Sequence, residues 1–549
     1  MSFSLSSPSP RHHHPLANGD LAPFNTDRLS LPESPPRLHL LDFLPPAIAQ
    51  LYASPSGLID QPASLLQQPP RPYHAPRGAE ALRFIKRMLD LEMFDLQHWQ
   101  PGMTEVGYFA VKKDDKLRLI ADGRPANARR TGGIPLDVHL PTPEDLAALH
   151  APPGSRLLKF KHDVSAMFHR FIVPPWLQLL FCLAGLSPDQ LRAIGRDPFG
   201  PNIPVLRTLA MGWIDAVFLM QCVMERLMSK VISPTRFLTA GPTLASGPVL
   251  AIYIDDTIGA GLSPRDDRVM RVLDNNVAAV LADHGVPEKF EKHVPATIAP
   301  MDALGCELLA NRIAPTPKRK LALFSKTRAV LAAGSVRGID LEPLLGLWAW
   351  AFLLCRPAFS IFHASYRFCA VAGDRVFVLW PSVRRELVIA LALLPFIEAP
   401  LSLPLASRRY ASDASSDHGG ALVSMPRSQS SCRLWLWRLE WARRWMWLGD
   451  HINELEIRAL LPAYERHLSR RILLLTDSSV AVGALSKGRS PSWRINLLAR
   501  RSLALRLLTG NILLLHHIPS VLNPADAHSR GYRSASVRRF SAPRIHDVP

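Results

Sequence analysis

The sequence predicts a mixed chain in two parts: an α+β body reaching to about residue 404, then an α/β domain over residues 405–532. Three observations lead there. An apolar, β-prone run from Leu250 climbs to Asp255 and Asp256, and a second β-prone run, Thr257-Ile258, leaves them. That is the pattern of a hairpin with two carboxylates at its tip. Residues 317–400 are apolar with helical spacing. Beyond them four acids recur in turn: Asp413 after a β-prone run, Glu456 in a helical pattern, Asp477 after a β-prone run, and Asp526 at the start of a terminal helix.

Composition bounds the rest. A chain of 549 residues that is 48% hydrophobic has material for about three or four domains with sizeable cores. The net charge is +18, and it is uneven: residues 401–549 hold 22 Lys and Arg against 10 Asp and Glu. Basic surfaces of this kind bind phosphate backbones, although a membrane surface would attract them too. The six cysteines are scattered with no CxxC pair, which argues against a zinc knuckle and a disulfide framework. Buried reduced thiols in an intracellular protein, cytoplasmic or nuclear, are the simple expectation. Residues 1–75 are dense in Pro and Ser, with His12-His13-His14 among them; a mostly disordered leader without a signal peptide is expected, and residues 533–549 form a basic tail. The longest apolar stretches, 344–355 and 387–397, fall short of the roughly 20 residues that span a bilayer. They read as core helices, and no membrane association is expected.

In chain order, residues 79–98 have helical apolar spacing. Residues 108–127 form two short strands around a charged turn carrying Lys112, Lys113 and Arg118, either an exposed hairpin or a basic finger that clamps a triphosphate. Residues 157–173 run as an apolar strand to Asp163, followed by Phe168; alone, Asp163 reads as a cap for a helix starting at Val164. Residues 204–228 pass from a loop containing Gly212 into a long helix, and a further helix is expected over 269–283. Two like charges at the end of a buried strand are costly unless neutralised, and hard cations such as Mg²⁺ take oxygen ligands. The plain alternative for Asp255-Asp256 is a solvated turn.

Together these strings resemble the reverse transcriptases. Tyr253-Ile254-Asp255-Asp256 is similar to their Tyr-x-Asp-Asp box; Val111-Lys112-Lys113, Lys116-Leu117-Arg118 and Asp122-Gly123-Arg124-Pro125-Ala126-Asn127 to their fingers motif; Asp163 with Phe168 to motif A; the Gly212 segment to motif B; and residues 285–293 and 304–308 to motifs D and E. The resemblance implies a polymerase right hand, with fingers and palm over 76–310 and thumb or connection over 311–404, followed by a ribonuclease H-like domain over 405–532. It implies that Asp163, Asp255 and Asp256 bind Mg²⁺, with Mn²⁺ as the alternative. Lys112 or Lys113, with Arg118, would hold the triphosphate, and Phe168 would exclude a 2′-hydroxyl beside Tyr253. Gly212 would let template and nucleotide approach the backbone, and Lys292 would be the acid toward pyrophosphate. For Lys292 a surface pairing with Glu288 is the alternative. Two departures stand in the motifs, Met167 before Phe168 and Asp215 after Gly212, which sets an acid near the template.

In the last domain the resemblance implies a second two-metal site of Asp413, Glu456, Asp477 and Asp526, with Glu454 competing for the second position. The endings at 477–489 and 518–530 look like those of DIRS-type retrotransposons. The implied partners are an RNA template, a DNA primer, RNA–DNA hybrid and deoxynucleoside triphosphates, with an element-encoded Gag or recombinase as further candidates.

Overall fold

The computed structural model of the chain describes residues 21–59, 70–113, 115–130, 138–240, 244–428, 437–445 and 450–531. At its centre is a four-stranded antiparallel sheet in the spatial order Val294–Thr297, Arg156–Asp163, Asp256–Ser263, Val249–Tyr253. Arg156–Asp163 buries the polar Lys159, His162 and Asp163 alongside Leu157, Leu158 and Phe160. Alternate side chains sort to opposite sides. Leu158, Phe160, Leu250 and Ile252 join one core with the helices Ala216–Met228 and Asp267–Asp283. Leu157, Val249, Ala251, Ile258, Ala260 and Leu262 join a second core built on Trp348. Gly259 is forced by this packing: a Cβ there would lie 2.2 Å from the Phe160 ring.

The hairpin Gly107–Lys113 and Lys116–Asp122 stands beside this sheet's helices, backed by Gly78–Asp90, which buries Phe84, Ile85 and Met88. That helix stops well short of residue 98. Glu92 turns into the left-handed region (φ 52°), and Phe94–Gln97 continues as a strand paired with Ile203–Leu206. The expected leader is also corrected in part. Over residues 21–59, Leu21–Ala22 pairs with Gly107–Lys113, and Leu40, Leu44, Tyr52 and Leu58 are fully buried in the first core. The prolines there shape turns and helix starts, as at Pro46, while the interspersed leucines find a core that local composition does not reveal.

The second core is carried by Pro317–Ala333, Gly338–Phe352, Ala364–Ala372 and Pro381–Leu393, around Trp348, whose indole N–H donates to Thr327. A five-stranded sheet follows in the order Arg438–Arg444, Gly419–Pro426, Arg408–Ala414, Arg471–Thr476, Ile512–His517. The first three strands pair antiparallel with one another, and the last three, from Arg408–Ala414 on, pair parallel. Its parallel connections are helical, as crossovers require. Asn496 and Arg500, on Trp493–Thr509, donate to the carbonyl of Ser360 and tie this unit to the helices of the second core. Among the described residues no helix is long and apolar enough to cross a membrane.

Candidate active sites

The first acidic group lies where Arg156–Asp163 ends beside the hairpin Val249–Tyr253 and Asp256–Ser263. The register sets Asp256 opposite both Asp163 and Tyr253. The two-residue turn between the strands needs positive φ, and Ile254 supplies it at φ 56°, a strained conformation for a β-branched residue. Gln221, fully buried on Ala216–Met228, holds that turn. Its amide donates to the Ile252 carbonyl at 2.8 Å and accepts the Ile254 N–H at 2.9 Å. The Val164 N–H donates to the Asp255 carbonyl at 2.9 Å, closing the tip onto the Asp163 strand. The signal for this clamp in the sequence is a lone Gln inside an apolar helix.

Lysines dominate the electrostatics here. Asp163 is buried, with Lys289 Nζ 2.9 Å from Oδ1 and Lys292 Nζ 2.8 Å from Oδ2. Lys161 Nζ lies 3.2 Å from Asp256 Oδ1. Burial would raise the Asp163 pKa, but the hydrogen bonds and charges of Lys292 and Lys289 outweigh it and hold the carboxyl below its ordinary value. Burial raises Asp256 instead, with Asp255 and Asp163 adding to it against the opposing Lys161. Lys292 therefore does not pair with Glu288; it reaches Asp163, while Glu288 takes His162 at 2.7 Å. Asp163, Asp255 and Asp256 do not gather three ligand atoms around one point. Lys289 and Lys292 at Asp163 and Lys161 at Asp256 supply positive charge beside these acids.

The surrounding candidates fall as follows. Lys112 pairs in register with Leu117, and Val111 with Arg118, so Lys112 and Arg118 stand on opposite faces of the ribbon. The Lys113 side chain lies outside the described residues. Arg118 approaches the Asp163 turn: burial, then Arg170 and Arg118, push His169 down to about 4. Phe168 is half-buried against the first core, and Met167 is buried in it. Gly212 has a reason other than template approach. At φ 137° a Cβ there would meet the Ala121 carbonyl at 2.1 Å, and Asn127 bolts this loop to the fingers by donating to the Gly212 carbonyl and accepting the Ile214 N–H. Asp215 is also corrected. It is buried against Arg130 and the Tyr52 hydroxyl, each at 2.7 Å, so it is neutralised inside the protein rather than set against a template.

The second acidic group is differently built. Asp413 lies near the end of the central strand Arg408–Ala414, Glu456 on the helix Ile452–Leu460 packed over it, and Asp477 just past Arg471–Thr476. Ligand atoms of all three lie within 4.8 Å of one another. Glu454, two residues away on the same helix, turns toward Arg494 at 3.8 Å. Asp526 opens Asp526–Ser529 and pairs with Arg530 at 2.9 Å; it stands outside the three-atom cluster but close enough to act on its charge. Among the described residues, ion pairs fall at the cluster's edge, Arg530 on Asp526 and Arg494 on Glu454. Burial, reinforced by Asp413 and Asp477, pushes Glu456 up to about 8, and its Oε2 is buried without a partner. Burial likewise pushes Asp413 up to about 7, against a hydrogen bond from Ser529 and with Asp477 and Asp526 raising it further. Asn523 spans the pair, its amide 3.1 Å from both Asp413 Oδ1 and Asp477 Oδ1 and from the Ser412 carbonyl. The Asn523-Pro524-Ala525-Asp526 string held this residue, but its role needed the fold. An oxygen-only, crowded and partly protonated cluster fits hard divalent cations.

No protein-family model matches the chain, and no curated protein matches it. Among solved structures it is similar to a foamy viral protease-reverse transcriptase dRH in complex with double-stranded DNA, at TM-score 0.48 and 14% identity over 89% of this chain and 75% of that one. The foamy viral protease-reverse transcriptase with double-stranded DNA gives 0.46 and 15%, over 88% and 96%. The same enzyme with RNA/DNA hybrid gives 0.46 and 14%, over 93% and 65%. Likeness at this level decides nothing about either acidic group.

Proposed function

We propose that the chain is an RNA-directed DNA polymerase with ribonuclease H activity, derived from a retroelement of the DIRS type. One observation carries the reading: Asp413, Glu456 and Asp477 converge within ligand distance on a central strand, a covering helix and a parallel neighbour strand. Asp413, Glu456 and Asp477 would hold Mg²⁺ or Mn²⁺, with Asp526 at the edge. Such ions activate water and steady the leaving oxygen in phosphodiester cleavage. The chain's own groups prepare that state. Asn523 keeps Asp413 and Asp477 in one orientation, Ser529 holds the other Asp413 oxygen, and Glu456 gives up its proton when a cation arrives. A-form hybrid is recognised by shape and its 2′-hydroxyls, so the basic surface of 401–549 needs no base readout. The working compartment in this reading is intracellular.

For extension, Asp163, Asp255 and Asp256 carry the acidic positions at the palm tip. Lys289 and Lys292 stand on the two oxygens of Asp163. Lys292 is a proton donor within reach of the acids, and Phe168 flanks the Asp163 turn as a gate for the sugar. The same lysines favour a second reading, in which the chain keeps hybrid cleavage or binding but has lost extension. Labelled RNA–DNA substrate tests both. Asp477→Asn should abolish RNA cleavage and spare extension, and Asp255→Asn the reverse. If one change removed both activities while folding and binding survived, the two-site assignment would fail. Wild type that cleaves hybrid without extending primers would establish the second reading.

A further inference from the structure

Behind Asp163, on the same strand, lies a group that neither acidic site uses. His162 Nε2 is 2.8 Å from Asp274 Oδ1, and His293 Nε2 is 3.1 Å from the same oxygen. The two imidazoles stack with centroids 4.5 Å apart at 25°, so both present Nε2 to one side. The three ligand atoms lie within 4.8 Å of one another. The other ring nitrogen of His162 faces Glu288 Oε1 at 2.7 Å, and Asp274 Oδ2 accepts the Ala296 N–H at 3.0 Å. His162, Asp274 and Glu288 are buried, and the His293 side chain keeps 29% of its surface, leaving one open approach.

We propose that His162, His293 and Asp274 form a binding site for a zinc-class divalent ion, with Glu288 orienting His162 from behind. Two imidazoles and one carboxylate suit a borderline-soft ion such as Zn²⁺ rather than Mg²⁺, and three protein ligands with an open fourth position are a known zinc arrangement. A carboxylate on the far nitrogen of a ligating histidine fixes its tautomer and ring plane. Tetrahedral zinc with bonds of about 2.0–2.1 Å sets its ligand atoms roughly 3.3 Å apart, so the contacts of Asp274 Oδ1 to His162 and His293, at 2.8 and 3.1 Å, would lengthen on loading. The site joins three separate segments: the Asp163 strand, the helix Asp267–Asp283 and residues 286–293. The last of these carries Lys289 and Lys292, so the ion would fasten the two lysines that reach Asp163. Its role is positional.

The test uses the full chain, stripped with chelator and then loaded with Zn²⁺ or Co²⁺. The Asp413→Asn/Asp477→Asn background removes the other acidic cluster as a competing site. One equivalent of Zn²⁺ should survive gel filtration, Co²⁺ should give visible bands of a nitrogen-ligated ion, and the melting temperature should rise on loading. His293→Gln, at a partly exposed position, should fold as judged by circular dichroism and lose all three. Glu288→Gln should weaken binding roughly ten- to hundredfold. The proposal is overturned if the background chain retains no metal, or if His293→Gln retains the same equivalent with the same Co²⁺ spectrum. Should His293→Gln not fold, Asp274→Asn takes its place and is read by the same criteria.

Discussion

Asp163 and Asp413 both lie at or near the end of a buried strand in the middle of a sheet, and both were read as metal ligands, yet the protein treats them in opposite ways. Two lysines bind the oxygens of Asp163 and hold its pKa down. Asp413 is hydrogen-bonded by Ser529 and Asn523, and burial, with Asp477 and Asp526 adding to it, raises its pKa to about 7. Ammonium groups face the first group, Lys289 and Lys292 at Asp163 and Lys161 at Asp256. The second keeps an unmet negative charge that either protons or cations must answer. The difference teaches that a motif names the acids but not their charge balance, which the opposing side chains decide.

The largest effect that would sharpen this contrast is on activity. Glu456→Gln should lower hybrid cleavage by two or more orders of magnitude, as loss of a charge-stabilising group commonly does, measured as initial rate on labelled hybrid. The same change should leave the cation-free chain as stable as wild type or more so at pH 8, because a crowded carboxylate is removed. Asp163→Asn should do the opposite to stability. Lys289 and Lys292 would lose their partner, and the cost should be roughly 2 kcal/mol in urea unfolding, reduced by their partial exposure. Equal stability changes in the two variants would break the comparison.

pH separates the groups next. A carboxyl with a raised folded pKa binds its proton more tightly when folded. The contribution of Glu456 and Asp413 is therefore complete at low pH and lost as pH rises through about 7 to 8. Asp163 is depressed, so its contribution is present above the ordinary carboxylate range and lost as pH falls through its lowered value. Melting in chelator should thus fall as pH rises from the ordinary carboxylate range to about 8, and Mg²⁺ should restore it most at the alkaline end. An Mg²⁺ effect independent of pH would count against a proton–cation exchange at Glu456.

The smallest effects concern the supports. Asn523→Ala should cut cleavage roughly tenfold with little change in hybrid affinity, since it orients two acids without replacing them. Gln221→Ala leaves the Ile254 N–H and Ile252 carbonyl without their buried partner, and should cost about 1–3 kcal/mol. Its effect should appear in extension and not in cleavage; a loss of both would mean that the palm tip and the second cluster are coupled.

What the sequence by itself determined is local and ordered. Asp255-Asp256 between two β-prone runs is a hairpin tip, and the succession of strand Asp, helix Glu, strand Asp and helix Asp over 413–526 is met element by element. These follow from chain periodicity and turn chemistry, which act over a few residues. Only the tertiary structure decided which face of Ile452–Leu460 meets the sheet, and hence Glu456 over Glu454, because two residues on a helix point to opposite sides. It alone buried Asp215 against Arg130 and Tyr52, drew Leu40 and Tyr52 of the supposed leader into the core, and brought Lys289 and Lys292 to Asp163. Each of those contacts joins segments far apart in the chain. Their energy comes from burial and charge pairing in the folded state, which no local pattern encodes.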